Sequence, residues 1–355
     1  MRIRPSNRSL LAAVLVCLLA LALPALASAK RVAAGPLYWG AWIGDQITGE
    51  EPPWDMEAVH RFETKMGKGL SLIEFSAPLA NCSSLPCTFS SFPTDEMQTI
   101  RDYGAIPVLG WNTGSTPTGS ELSAFQLADI YNHSYDQYLR AFAKQAAEWG
   151  HPFFLRFNWE MNGDWFPWAE RANGNQPGDY VKAWRHVHDI FTAAGATNAT
   201  WVWCPYANAK SGIGKFARYY PGDRYVDWTC LDAYNFAQNP VNPRPWQTFD
   251  ALFYPSYLKL TRQIAPDKPV MLGEIASNGP ARQKAGWIRD MFSSLSRNYP
   301  KVGALVWFDH FDRSLRWPLE VDRAPTLAFR AGLRRNPFLG PEFGALDESP
   351  IPSPR

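Results

Sequence analysis

"PFFLRFNWEMNGDWFPW", Pro152 to Trp168, runs from a short phenylalanine-rich apolar segment into a loop that sets one glutamate among three tryptophans and two asparagines. Residues 152–157 are long enough for a buried strand and too short for a helix of ordinary length. An isolated buried glutamate is expensive, so Glu160 must stand at an accessible mouth or find a partner. A buried strand that releases into a loop bearing an acid is the pattern found at the C-terminal mouth of a barrel of parallel strands.

The same kind of run recurs along the chain. "LYWGAWI" (37–43), "GLSLIEF" (69–75), "AIPVLGW" (105–111), "PFFLRF" (152–157), "TWVWC" (200–204), "VDWTCLDAY" (226–234), "PVMLGE" (269–274) and "VGALVWF" (302–308) are eight candidate strands. Segments such as "YDQYLRAFAKQAAEWG" lie between them, and their apolar residues recur at three and four: Tyr138, Phe142, Ala146 and Trp149. That spacing gives a helix with one buried face. Gly150 and Gly195 stand where such helices stop. Buried strands alternating with amphipathic helices imply a parallel sheet. Eight repeats predict an α/β fold closed into a (β/α)8 TIM barrel over residues 30–333, with an open doubly wound sheet as the alternative. Residues 334–355, "RRNPFLGPEFGALDESPIPSPR", lose periodicity and are expected to form an irregular, loosely attached tail.

The first 29 residues read as a secretory signal peptide. Arg2, Arg4 and Arg8 precede an apolar run from Leu10 to Leu26, and Ala27-Ser28-Ala29 fits a cleavage site. The alternative is an uncleaved anchor. Export predicts a secreted or extracytoplasmic protein without a membrane partner after cleavage. Loss of the leader leaves 32 basic residues of the 35 against 33 acidic ones. A near-neutral surface without Lys/Arg blocks offers no electrostatic footprint for nucleic acid and disfavours a polyanionic substrate. Outside the leader there remain Cys82, Cys87, Cys204 and Cys230. In an oxidising compartment these are expected to pair as Cys82–Cys87 and Cys204–Cys230, reduced thiols or a zinc site being the alternatives.

The barrel reading has a positional consequence, because chemistry in such barrels sits where the strands end. Glu160 follows the fourth run and Glu274 ends the seventh, so the two face each other across one mouth. Two opposed carboxylates in an aromatic cleft are the minimum equipment for cutting a glycosidic bond: one protonates the departing oxygen, the other attacks while ionised. The tryptophan-lined Glu160 suits the acid/base role by desolvation; Glu274 is left as the nucleophile. Trp165 and Trp168 offer flat faces for sugar rings, with Phe166 as a core plug beside them. Trp39, Trp42 and Trp111, at the ends of the first and third runs, line the cleft in this reading or belong to the core. Arg156 and Asn162 are placed to hold Glu160 or a sugar hydroxyl. Asp309, His310 and Asp312 in "WFDHFD" are candidates for sugar hydroxyls, and Asp164 for a further polar contact. No metal or cofactor is required by two-carboxylate hydrolysis.

"RFNWEMNGDWFPW", together with "VDWTCLDAY", "PVMLGEIASNG" and "ALVWF", resembles glycoside hydrolase family 26, mainly β-mannanases of the retaining (β/α)8 clan. The resemblance spans about residues 36 to 330 and implies that Glu160 is the acid/base and Glu274 the nucleophile. It further implies that Tyr234 contacts that nucleophile and that Trp307 floors the −1 sugar subsite. Trp159 stands where the family typically has a histidine that binds sugar near that subsite. The substrate expected is therefore a neutral β-linked polysaccharide: mannan, or mixed-linkage β-glucan or xylan. A catalytically silent carbohydrate-binding barrel is the alternative from another class; it would need the tryptophans but not two opposed acids.

Overall fold

The computed structural model describes residues 1, 35–117, 125–207, 213–237, 244–311 and 315–355. The leader expected at 1–29, beyond Met1, and Asp312 lie outside the described residues. Ala34–Arg355 forms one compact unit. In it β1 (Tyr38–Ile43) leads to α1 (Met56–Met66) and β2 (Leu72–Asn81), then to α2 (Thr94–Tyr103) and β3 (Ile106–Thr116). The chain continues through α3 (Leu127–Tyr131), α4 (Asp136–Trp149), β4 (Phe153–Phe157), α5 (Asp179–Ala193) and β5 (Ala199–Trp203). Two 3-10 segments, Ile213–Tyr219 and Asp223–Tyr225, precede β6 (Trp228–Asn235). α6 (Phe249–Lys259), β7 (Val270–Ser277), α7 (Ala281–Asn298), β8 (Val302–Asp309) and α8 (Arg323–Arg335) complete the circuit.

Each of the eight strands runs parallel to its neighbours, and β1 pairs with β2 as well as with β8, which closes the sheet into a barrel. A two-residue strand, Thr88–Phe89, adds antiparallel to the end of β2 beside the Cys82–Cys87 bridge. The open doubly wound alternative is thereby excluded. Helices α2 and α8 also turn one apolar face onto the barrel, with Met97 and Ile100 buried in α2 and Ala328, Phe329 and Leu333 in α8.

Strand parity decides what each side chain meets, because successive residues point to opposite faces. Tyr38, Gly40 and Trp42 of β1 align with Ala304, Val306 and Phe308 of β8, while Trp39 and Ala41 align with Leu305 and Trp307. The second set faces the helices. Trp39 packs on Phe62 of α1 and Phe329 of α8, and Trp307 on Trp287 of α7 and Phe329. The first set faces the barrel axis, where space is short. A Cβ at Gly40 would lie 2.3 Å from the carbonyl oxygen of Leu72, closer than nonbonded atoms approach.

The tail is irregular, as expected, but it is tightly held. Ile351 is buried, its N–H donates to Thr200 Oγ1 (2.8 Å) and its carbonyl accepts from Trp228 Nε1 (2.8 Å). Tyr38 Oη donates to the Pro352 carbonyl (3.2 Å), and Phe343 packs edge-on against the Tyr38 ring. These contacts lie at the N-terminal ends of β1, β5 and β6, so the tail closes the barrel floor opposite the mouth. Loose attachment is corrected accordingly: a tail without internal periodicity is stabilised by the surface it covers.

Candidate active site

The axis of the barrel near its mouth carries a charged layer. Arg156, fourth residue of β4 and completely buried, is its centre. Its guanidinium donates to Glu74 of β2, to Glu274 Oε1 (2.9 Å) and to Asp232 Oδ2 of β6 (2.6 Å). Arg156 therefore holds carboxylates and presents no surface to a ligand; a direct sugar contact is corrected to a positioning role. Register explains the gathering: Arg156 lies opposite Gly110, and Glu74 opposite Val108, both inward positions.

Glu274 stands between two donors, Arg156 at Oε1 and the Tyr234 hydroxyl at Oε2, and its own N–H donates to Asp232 Oδ1 (2.8 Å). The Tyr234 contact expected from the family is present. The residue before Glu274 has to be glycine. A Cβ on Gly273 would lie 2.4 Å from Cys230 Sγ and 2.6 Å from Asp232 Oδ1. The sulfur belongs to the Cys204–Cys230 disulfide, which joins the residue after β5 to the third residue of β6. Both expected disulfides are formed.

Glu160 lies just above this layer. β4 ends at Phe157, and the chain turns sharply through left-handed conformations at Asn158 (φ 47°) and Glu160 (φ 53°). Such conformations cost non-glycine residues energy and persist only where surroundings enforce them. Here they are enforced. The Asn158 Oδ1 accepts from the Thr113 N–H (2.8 Å), and the Glu160 N–H donates to the Cys204 carbonyl (2.7 Å). Asn162 then clamps the loop: its Nδ2 donates to the Tyr206 carbonyl and its Oδ1 accepts from the Tyr206 N–H, both at 2.8 Å. These two bonds tie Asn162 to the segment after β5. The Glu160 carboxylate accepts from Trp165 Nε1 at 2.5 Å.

The electrostatics follow from four carboxyl groups around one guanidinium. Burial holds the Glu160 carboxyl well above the ordinary carboxylate range, and the negative charges of Asp232 and Glu274 add to it; the Trp165 N–H and Arg156 oppose. Burial also raises Asp232, against the pull of Arg156. Tyr234 is raised by burial and by the charge of Glu274, so it stays a hydroxyl donor. The arrangement separates a carboxyl that keeps its proton from one seated among donors, which is the condition for dividing acid and nucleophile roles.

The aromatic surroundings differ from expectation in an orderly way. Trp165 is 44% exposed and stands edge-on to Tyr206. It alone of the motif's tryptophans presents a broad face to solvent. Trp168, 3% exposed, is a core plug whose Nε1 donates to the Trp159 carbonyl (2.6 Å), and the half-buried Phe166 stacks on it at 4.4 Å. Trp168 is thus corrected from a sugar platform to a core residue, and Phe166 packs against the core beside it. Trp159 is buried between Phe166, Trp168 and the Arg156 guanidinium.

Trp39, Trp111 and Trp307 are fully buried on the helix side; Trp111 stacks on Phe142 of α4 at 4.2 Å. None of the three can line the cleft, because odd parity turns them outward. Their even-parity neighbours do: Trp42 and Phe308, half-buried, lie 5.6 Å apart, and Phe308 lies 5.6 Å from Tyr234. His310 is half-buried at the rim, with Nε2 3.4 Å from Glu51 Oε1; that hydrogen bond raises it above the ordinary histidine range. Asp309 is buried and accepts from the Leu319 N–H (2.7 Å), whereas Asp164 is exposed. Glu74, Asp232, Tyr206 and Phe308 were not singled out by sequence. Inward parity in "LIEF", "CLDAY" and "WF" was the available signal.

The class so defined is a closed (β/α)8 barrel with buried glutamates rising from β4 and β7 around one arginine. The glycosyl hydrolase family 26 model matches residues 113–297, and the chain belongs to that family. Endoglucanase H of Acetivibrio thermocellus is 30% identical over 298 residues, 83% of this chain and 30% of that protein. Mannan endo-1,4-beta-mannosidase A and B of Caldalkalibacillus mannanilyticus is 32% identical over 158 residues, 42% of this chain and 26% of that protein. The chain thus spans less than a third of the length of either relative. A modular endo-beta-1,4-mannanase structure from Cellulomonas fimi superposes with a TM-score of 0.61 at 17% identity, covering 88% of this chain and 74% of that one, which shows the common fold.

Proposed function

We propose that this protein is an exported, retaining, endo-acting glycoside hydrolase of neutral β-linked polysaccharides. Glu160 gives its proton to the departing glycosidic oxygen while the Glu274 carboxylate attacks the anomeric carbon, forming a glycosyl ester. The Glu160 carboxylate then takes a proton from the water that cleaves the ester. The observation that carries this reading is the contrast between the two acids: Glu160 is buried and raised, and Glu274 is seated between Arg156 and Tyr234. Arg156 and Tyr234 keep the nucleophile oriented. Trp165 both borders the cleft and holds the acid. A silent binding barrel gains nothing from four carboxyl groups gathered in a buried layer, since that concentration is costly. Export is supported by the leader sequence and by the two disulfides.

Mannan is the substrate named for several relatives. A second reading, β-glucan, is favoured by Trp159 in the place of the family's histidine and by the relative that aligns over most of the chain being an endoglucanase.

A panel of β-mannan, mixed-linkage β-glucan and xylan scored for reducing ends tests activity and substrate together. Glu274→Ala is expected to abolish turnover, and azide to restore it with an α-linked glycosyl azide. Glu160→Ala is expected to lose about 10² to 10⁴-fold on polymer, less on an activated aryl glycoside, and to give a β-linked azide. Opposite anomers would reverse the two assignments, and binding without turnover in the wild type would establish the silent barrel.

A further inference from the structure

On the outer helical layer, at the start of α4, three side chains converge that the hydrolytic site does not use. Asp136, the first residue of α4, is 7% exposed, and its two oxygens face two different histidines. His133 Nδ1 lies 3.0 Å from Oδ2 and His186 Nε2, on α5, lies 2.6 Å from Oδ1. The imidazole rings stand nearly perpendicular with centroids 4.8 Å apart, and the three ligand atoms all lie within 4.8 Å of one another. His133 takes up this position at φ 69°, a left-handed conformation that costs a non-glycine residue energy. The strain aims its ring at Asp136.

We propose that His133, Asp136 and His186 form a binding site for one divalent transition-metal ion of the zinc class, pinning the α3–α4 turn to α5. Two imidazole nitrogens and one carboxylate oxygen are borderline donors that suit Zn²⁺ over Ca²⁺ or Mg²⁺. Water completes a four-coordinate shell from the solvent side, where His133 is open. Binding displaces whatever protons the two nitrogens share with Asp136, releasing them to solvent. The competing cation is Arg140, whose Nη2 sits 2.5 Å from Asp136 Oδ2. Its side chain is mostly exposed and can swing away. Lys182, one turn before His186, is engaged with Asp179.

The test is calorimetric titration of ZnCl2 into the metal-stripped full-length protein under non-reducing conditions, so that Cys204–Cys230 stays closed. One equivalent should bind. His133→Ala and His186→Ala should each weaken binding by at least about 10-fold, the lower end of the loss seen when support of a metal ligand is removed. Arg140→Ala should tighten it, because a cation competing for Asp136 is gone, and this variant leaves both histidines and the acid in place should either histidine variant fail to fold. Turnover on polysaccharide should be unchanged in all three. No binding by the wild type, equal affinity in the histidine variants, or no gain in Arg140→Ala would overturn the proposal.

Discussion

Arg156→Met tests the charged layer most directly, since it preserves much of the volume while removing the one cation that Glu74, Asp232 and Glu274 share. Removing one partner of a buried pair costs about 3–5 kcal/mol, because the other charge stays buried and unpaired. Three partners are stranded here, so about 3–5 kcal/mol is the floor at neutral pH, against a total stability of about 5–15 kcal/mol for a typical protein. The sign with pH follows from linkage. Glu160 and Asp232 are raised in the folded state, with Arg156 pulling both down. Without Arg156 they rise further, so the folded variant binds more protons than the unfolded chain from the ordinary carboxylate range upward. Its stability then falls as pH rises through that window. Urea unfolding of wild type and variant at about pH 5 and about pH 8 should show the smaller penalty in acid. An equal loss at both, or a loss under about 1 kcal/mol at the higher pH, would refute a shared buried cation holding these carboxyls.

Trp165→Phe keeps a ring and removes the N–H donor that favours ionised Glu160, so the alkaline limb of kcat/KM should move to higher pH; a limb that stays or moves down would dismiss that hydrogen bond. Trp307→Ala, against the helices, should cost about 3–5 kcal/mol in a melt with little change in KM for polysaccharide, whereas Trp165→Ala should raise KM with little loss of stability. Ile351→Ala, under the barrel floor, should lower stability by about 2–5 kcal/mol and leave kcat/KM unchanged, a loss of activity at constant fold being the contrary result.

Glu160, Glu274 and Tyr234 were legible because strand ends and a family motif mark them in one dimension. Trp39, Trp111 and Trp307 were misplaced because proximity to a strand end says nothing of which face a residue takes; one step in the chain reverses it. The same step concealed Phe308 beside Trp307, whereas Asp232, two positions before Tyr234, lies on the face that Tyr234 already marked. Trp168 was misplaced for a related reason: it is large and aromatic like Trp165, and only the loop geometry set by Asn158 and Glu160 turns it inward, onto Phe166.

By itself the sequence determined the repeating strand–helix order, the α/β class and the two acids at the ends of strand runs. Local periodicity and composition encode these, since they depend on neighbours three or four residues apart or on residue type alone. Tertiary structure decided the shared arginine, the division of aromatics between core and cleft, the docking of the tail and the convergence of His133, Asp136 and His186. Each of these depends on the register of strands or helices far apart in the chain. Register is fixed by closure of the barrel around its packed interior, where Gly40 and Gly273 have no room for a Cβ.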